Sequence, residues 1–135
     1  MAELVLALLL WITIETGLAM PPPPPVLTIS REEMAERSLR TTEVKGLYDR
    51  ETGTIYMLEG WSSANLHGRA SLLHELVHHT QAFNKVPAEC AAKWEPQAYN
   101  LSLEWLRHQG VADPYAVLEI DDLSIAVIAM CHAEG

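Results

Sequence analysis

The chain has 135 residues, 49% of them apolar, and a formal net charge of −9, with nine Lys and Arg against 18 Asp and Glu. That length and composition suit one globular domain over residues 1–135, built around one core. So few cations leave no basic patch to neutralise phosphates, which argues against nucleic acid or an anionic membrane surface as a partner.

In chain order, the first feature is an apolar run from Leu4 to Ile14, followed by Gly17, Leu18 and Ala19. It imitates the apolar core and small-residue cleavage site of a secretory signal, yet Glu3 precedes it in place of Lys or Arg, and Glu15 interrupts its far side. About 20 apolar residues are needed to cross a bilayer, so no transmembrane span is expected. The favoured reading is a buried N-terminal helix from Ala2 to about Gly17 within segment 1–19; a signal or a membrane-surface helix is the alternative. Pro21 to Pro25 cannot continue a helix and form a stiff connector. Val26 to Ile29 then reads as a short strand, and Ser30 with Glu33 makes a capping box that predicts a helix from Arg31 to about Leu39.

Glu43 to Tyr48 and Thr54 to Leu58 alternate apolar residues on either side of a five-residue loop ending in Gly53. That pattern predicts a β-hairpin and, with the first strand, a small sheet of about three strands. After Trp61, any of Ser62, Ser63 or Asn65 can cap a helix that runs to about Phe83 and ends at Asn84 to Pro87.

That helix carries His74-Glu75-Leu76-Val77-His78, an HExxH motif. Side chains four apart lie one above the other on a helix, so His74 and His78 can present two imidazoles to one metal ion, with Glu75 beside them. Zinc held by two His and a third protein ligand keeps a position for water, whose pKa it lowers, and leaves Glu75 to take the proton. The bland alternative is an amphipathic helix with solvent-facing histidines.

The third ligand is sought on a second helix, expected from about Ala88 to His108 and closed by Gly110. If that helix returns antiparallel after a short turn, the ligand must lie about as far beyond the turn as His78 lies before it. Glu95 meets that condition, whereas Glu89 falls too close to the turn; Cys90 and a distant His are weaker candidates. Pro96 should kink this helix or begin it anew.

Tyr99 shares the helix face of Glu95, where its hydroxyl can donate to a developing oxyanion or brace a ligand, although a core aromatic fits as well. Gln81 shares a face with His74 and reads as a helix-packing amide before a partner of the metal ligands. His79 points away from the metal pair as a bystander or a partner-facing residue, and His67, seven before His74, can line the cleft but reads more simply as exposed. A metal-bound imidazole usually needs an acceptor for its other nitrogen, and Glu119, Asp121 and Asp122 are candidates. Asp113 and Pro114 start a third helix, and Leu123 to Met130 is apolar almost all round, which predicts burial. Cys90 and Cys131 are the only cysteines; they pair in an oxidising compartment or sit reduced in the core. An N-terminal helix folded into the core tilts the expectation towards the cytoplasm.

The HExxH with a glutamate on the following helix resembles the gluzincin group of zinc metallopeptidases, and the short chain resembles their minimal forms, the minigluzincins. Gly46-Leu-Tyr-Asp, Thr54-Ile-Tyr, Glu59-Gly-Trp61, Gln81, Cys90 and Glu95-x-x-Ala98-Tyr99 also resemble a bacterial HExxH family described only as a domain of unknown function. The resemblance implies an α+β, mainly helical zincin-like domain with a small sheet, an active-site helix and a glutamate helix. It implies one zinc per chain on His74, His78 and Glu95, Glu75 as the catalytic base, and a peptide or protein substrate; an edge strand near Ile55 to Leu58 is expected to hold that peptide extended. The alternative function is a catalytically silent zinc-binding interaction or regulatory domain. A di-iron bundle would need a second Glu-x-x-His, which the chain lacks.

Overall fold

The computed structural model describes residues 1–38 and 44–131. Helix α1 (Ala2–Thr16) takes up the N-terminal apolar run, and Gly17 stops it in the left-handed conformation (φ 74°). It is buried on one face only: Val5, Leu8, Leu9 and Ile12 enter the core, while Leu6, Leu10 and Ile14 stay exposed. The proline connector that follows is tied down at its far end by Ile55 N donating to Pro25 O at 2.9 Å, and near its start by two side chains of the motif helix and its cap. Asn84 exchanges two hydrogen bonds with the backbone of Ala19, and His79 Nε2 donates to Pro22 O at 2.7 Å.

Three strands form one sheet: β1 (Val26–Ile29), β2 (Gly46–Asp49) and β3 (Thr54–Leu58). Between the first two lies helix α2 (Arg31–Ser38), whose start is capped as expected by Ser30 Oγ accepting from Glu33 N. The expected end of this helix at Leu39, and the expected start of the next strand at Glu43, lie outside the described residues. The sheet order is β1-β3-β2, with β1 parallel and β2 antiparallel to β3. This corrects the expectation of an edge strand at Ile55 to Leu58. Those residues are central, and all five residues of β3 are buried, because β1 pairs along the side left open by the hairpin. The edge beside the motif helix is β2 instead.

Helix α3 (Leu66–Phe83) carries the HExxH motif, and of the three candidate caps Asn65 is used, accepting from Gly68 N at 2.7 Å. Leu72, Leu73, Leu76 and Val77 bury its inner face in the core. The glutamate helix starts later than expected. Residues 87–90 are not helical, Ala91–Trp94 make a 3₁₀ turn, and α4 runs Glu95–His108. Pro96 explains the boundary: lacking an N–H, it is tolerated in the first turn of a helix, where that donor has no partner. Contacts between Ala70 and Ser102, His74 and Tyr99, His78 and Glu95, and Gln81 and Trp94 run in opposite chain directions, so α3 and α4 pack antiparallel.

The expected third helix is two short ones, α5 (Pro114–Leu118) and α6 (Asp122–Ile128), capped by Asp113 and Asp121. Glu119 separates them with a left-handed backbone (φ 53°). The expected burial of Leu123 to Met130 does not hold: Ile125 and Ala129 are buried, but Leu123, Val127 and Met130 lie on the surface. A helix of two turns resting on the edge of the domain has only one face to bury. Cys131 follows at once and forms a disulfide with Cys90. Among the described residues, no helix is long and apolar enough to cross a membrane.

Candidate metal centre

Facing turns of α3 and α4 bring His74, His78 and Glu95 together, and their ligand atoms all lie within 4.8 Å of one another. The two Nε2 atoms are 3.2 Å apart, and His74 Nε2 is 3.3 Å from Glu95 Oε1. Ligands about 2.0–2.1 Å from a tetrahedral zinc stand about 3.3 Å from each other, so these two separations fit a shared ion. The third pair, His78 Nε2 and Glu95 Oε1, is in direct contact. Among the described residues this is the one group of three or more His, Cys, Asp or Glu that could hold a metal ion. Nitrogen, nitrogen and carboxylate oxygen form a donor set that suits such an ion.

The electrostatics mark these groups as mutually dependent. Burial opposes charge on the Glu95 carboxyl, but hydrogen bonds from His74 and His78 outweigh it and hold Glu95 well below the usual carboxylate range. Burial likewise opposes charge on His78, and there Glu95 wins and raises its pKa.

The orientation of His78 comes from Gln81, which is more than a packing amide. Its Nε2 donates to Trp94 O (3.0 Å) and to Gln97 Oε1 (2.9 Å), so its Oε1 is the atom facing His78 Nδ1, at 2.9 Å. Gln81 Oε1 therefore accepts from His78 Nδ1, which turns Nε2, the nitrogen in contact with Glu95, towards the cluster. The i, i+3 spacing of His78 and Gln81 was visible in the sequence; the contact with Trp94 was not. Of the three acids considered for such a role, Asp121 caps α6 and Asp122 accepts from Tyr115, while Glu119 lines the same cleft as the cluster without joining it. Glu89 is exposed in the loop before the 3₁₀ turn, and Cys90 is in the disulfide, so neither joins the cluster.

Glu75 is buried and lies against the edge strand. A Cβ built on Gly46 would stand 3.2 Å from both Cγ and Oε2 of Glu75 and 3.3 Å from Met57 Sδ, so any larger residue here would press on Glu75 and Met57. His79 is a link and not a bystander. Its Nε2 must carry the proton to donate to Pro22 O, so its Nδ1 accepts from Tyr48 Oη at 2.9 Å and pins β2 to α3. Burial raises the Tyr48 pKa, which keeps that hydroxyl a donor. Tyr99 packs its ring 4.4 Å from that of His74. Tyr99 and His67 line a cleft of about 690 Å³ together with Glu75, all three members of the cluster and the residues Lys45 to Tyr48 along the edge strand. His67 is half-buried, and both burial and nearby Lys45 lower its pKa.

The class defined by these features is a mainly helical α+β domain with a His-His-Glu cluster, able to hold a metal ion, at the floor of a cleft walled by a strand edge. Residues 1–134 match the family described as a domain of unknown function, DUF6647, and the chain belongs to that family. Comparison with curated proteins and with solved structures gives no match.

Proposed function

We propose that the protein is a zinc-dependent peptidase, with His74, His78 and Glu95 holding one zinc ion per chain. One observation carries this reading: the three ligand atoms converge beneath a cleft whose wall is the strand edge β2, with the Glu75 carboxylate against that strand. When bound there, zinc supplies Lewis acidity to water and to a substrate carbonyl.

The chain's own residues supply the rest. The backbone of Gly46 to Asp49 pairs with an extended peptide by adding it as a further strand, which holds the scissile bond along the cleft. Glu75 takes a proton from the attacking water at its carboxylate and delivers it to the leaving amide nitrogen. The Tyr99 hydroxyl donates to the oxygen that becomes negative. Gln81 keeps His78 in the ligating tautomer, and the Tyr48–His79–Pro22 chain fixes the distance between β2 and α3.

The Cys90–Cys131 disulfide favours an oxidising compartment for this chemistry over the cytoplasm. The test begins with elemental analysis of protein purified without chelator. Near one zinc per chain in the wild type and in Glu89→Ala, lost in Glu95→Ala, supports the ligand set. A peptide screen should then give cleavage that Glu75→Gln abolishes while keeping its zinc. Retained zinc with no peptide cleaved would leave a metal-binding domain without turnover; no zinc taken up at all would overturn the proposal.

A further inference from the structure

Arg50 follows the last residue of β2 and lines the cleft. Its guanidinium carbon sits 4.2 Å over the centre of the Trp94 ring. Trp94 is a fixed platform: it is 6% exposed, its Nε1 donates to Val86 O, and its ring stacks on that of His78 with centroids 6.5 Å apart. A guanidinium lying over a ring uses its face and leaves its N–H edge free for a planar, bidentate acceptor. No carboxylate among the described residues takes that edge. Its neighbour Asp49 is committed to the hairpin turn, where it accepts from the backbone of Glu51 and Thr52, and Glu95 is held by the histidines.

We propose that Arg50, held on Trp94, is the specificity-determining residue of the cleft and docks a carboxylate of the peptide substrate. The two ring separations place the guanidinium within about 11 Å of the His78 ring centre. An extended peptide advances about 3.3 Å per residue, so the recognised carboxylate lies within about three residues of the scissile bond. The carboxylate comes from an Asp or Glu side chain or from the free C-terminus of the peptide. A peptide paired along β2 must pass Arg50, because the strand ends there. The substrate class is thus acidic peptides: Arg50, with Lys45, gives the cleft two cations in a chain of net charge −9.

This inference rests on the peptidase reading, and the experiment separates the two. Zinc-loaded Glu75→Gln protein, which binds without turnover, is titrated with fluorescent hexapeptides in which Glu replaces Gln at each position in turn, each as a C-terminal acid and a C-terminal amide. The expected result is about tenfold tighter binding of one Glu peptide than of its Gln counterpart, or of the acid than of the amide, which assigns the source of the carboxylate. Adding Arg50→Gln should bring that ratio to about one, and Arg50→Glu should turn the preference towards a Lys-bearing peptide. Zinc-dependent binding of all peptides with equal affinity would overturn the role of Arg50 and leave the peptidase reading standing. Failure of every peptide to bind, together with failure of the wild type to cleave any of them, would overturn both.

Discussion

One side chain and one missing side chain set the geometry around the metal ligands. Gln81 is 1% exposed and satisfies three partners at once, so its truncation would strip His78 Nδ1 of its acceptor and leave Trp94 O and Gln97 without their donor. Loss of such a partner commonly costs 10–100-fold in metal affinity. Gln81→Ala should therefore weaken zinc binding by about that factor in competition with a chromogenic chelator, and an unchanged affinity would mean that helix packing alone orients His78. Gly46 acts by absence. Gly46→Ala puts a methyl 3.2 Å from the Glu75 carboxylate, tighter than relaxed contacts, so Glu75 must move away from β2. Its expected signature is zinc content near the wild-type value with kcat/KM for peptide cleavage down about tenfold or more. Loss of zinc along with activity would show instead that the strand, and not the carboxylate, gives way.

At the level of elements, the start of α3 leaves less room for a side chain than any other described glycine position. A Cβ on Gly68 would lie 1.8 Å from the backbone oxygen of Ser62, while Gly68 N donates to Asn65 and Gly68 O accepts from Trp61 Nε1. No side-chain rotation relieves a clash with backbone, so Gly68→Ala should lower the unfolding free energy by about 3 kcal/mol or more, read from urea denaturation. A loss under about 1 kcal/mol would show that the Ser62 loop is free to move. Local signals of this kind explain what was legible in the sequence. Asn65, Ser30, Asp113 and Gly17 mark helix ends through bonds to their own neighbours, and His74, His78 and Glu75 declare themselves by spacing on one helix. Glu95 was legible because the antiparallel return of α4 fixes a distance along the chain. The order β1-β3-β2 was not, since parallel pairing of Val26–Ile29 with Ile55–Leu58 depends on contacts remote in sequence. Nor was the surface position of Leu123, Val127 and Met130, because apolarity says what a helix can bury and not how much neighbour there is to cover it.

Across the whole molecule, two cross-links meet in one short stretch. The disulfide holds residue 90 and Glu95 holds the cluster, with only the 3₁₀ turn Ala91–Trp94 between them. Closing a loop with a sequence separation of 41 removes unfolded-chain entropy worth about 4 kcal/mol in the chain-entropy description. The closed loop contains all of α4 and α5, so the bond constrains the helix that carries Glu95 as well as the unfolded chain. Zinc binding and disulfide formation both need the 3₁₀ turn in its folded position, and two events that order the same segment must favour each other reciprocally. A Cys90→Ser, Cys131→Ser double variant should lose about 4 kcal/mol of unfolding free energy and also bind zinc more weakly than the oxidised wild type. By the same coupling, zinc should slow reduction of the disulfide by dithiothreitol, followed as thiol labelling of Cys90 and Cys131 with and without the metal. If the double variant loses stability yet keeps the wild-type zinc affinity, and zinc leaves the reduction rate unchanged, then the turn is held by Trp94 and Gln81 alone, and the disulfide stabilises the chain without reaching the metal centre.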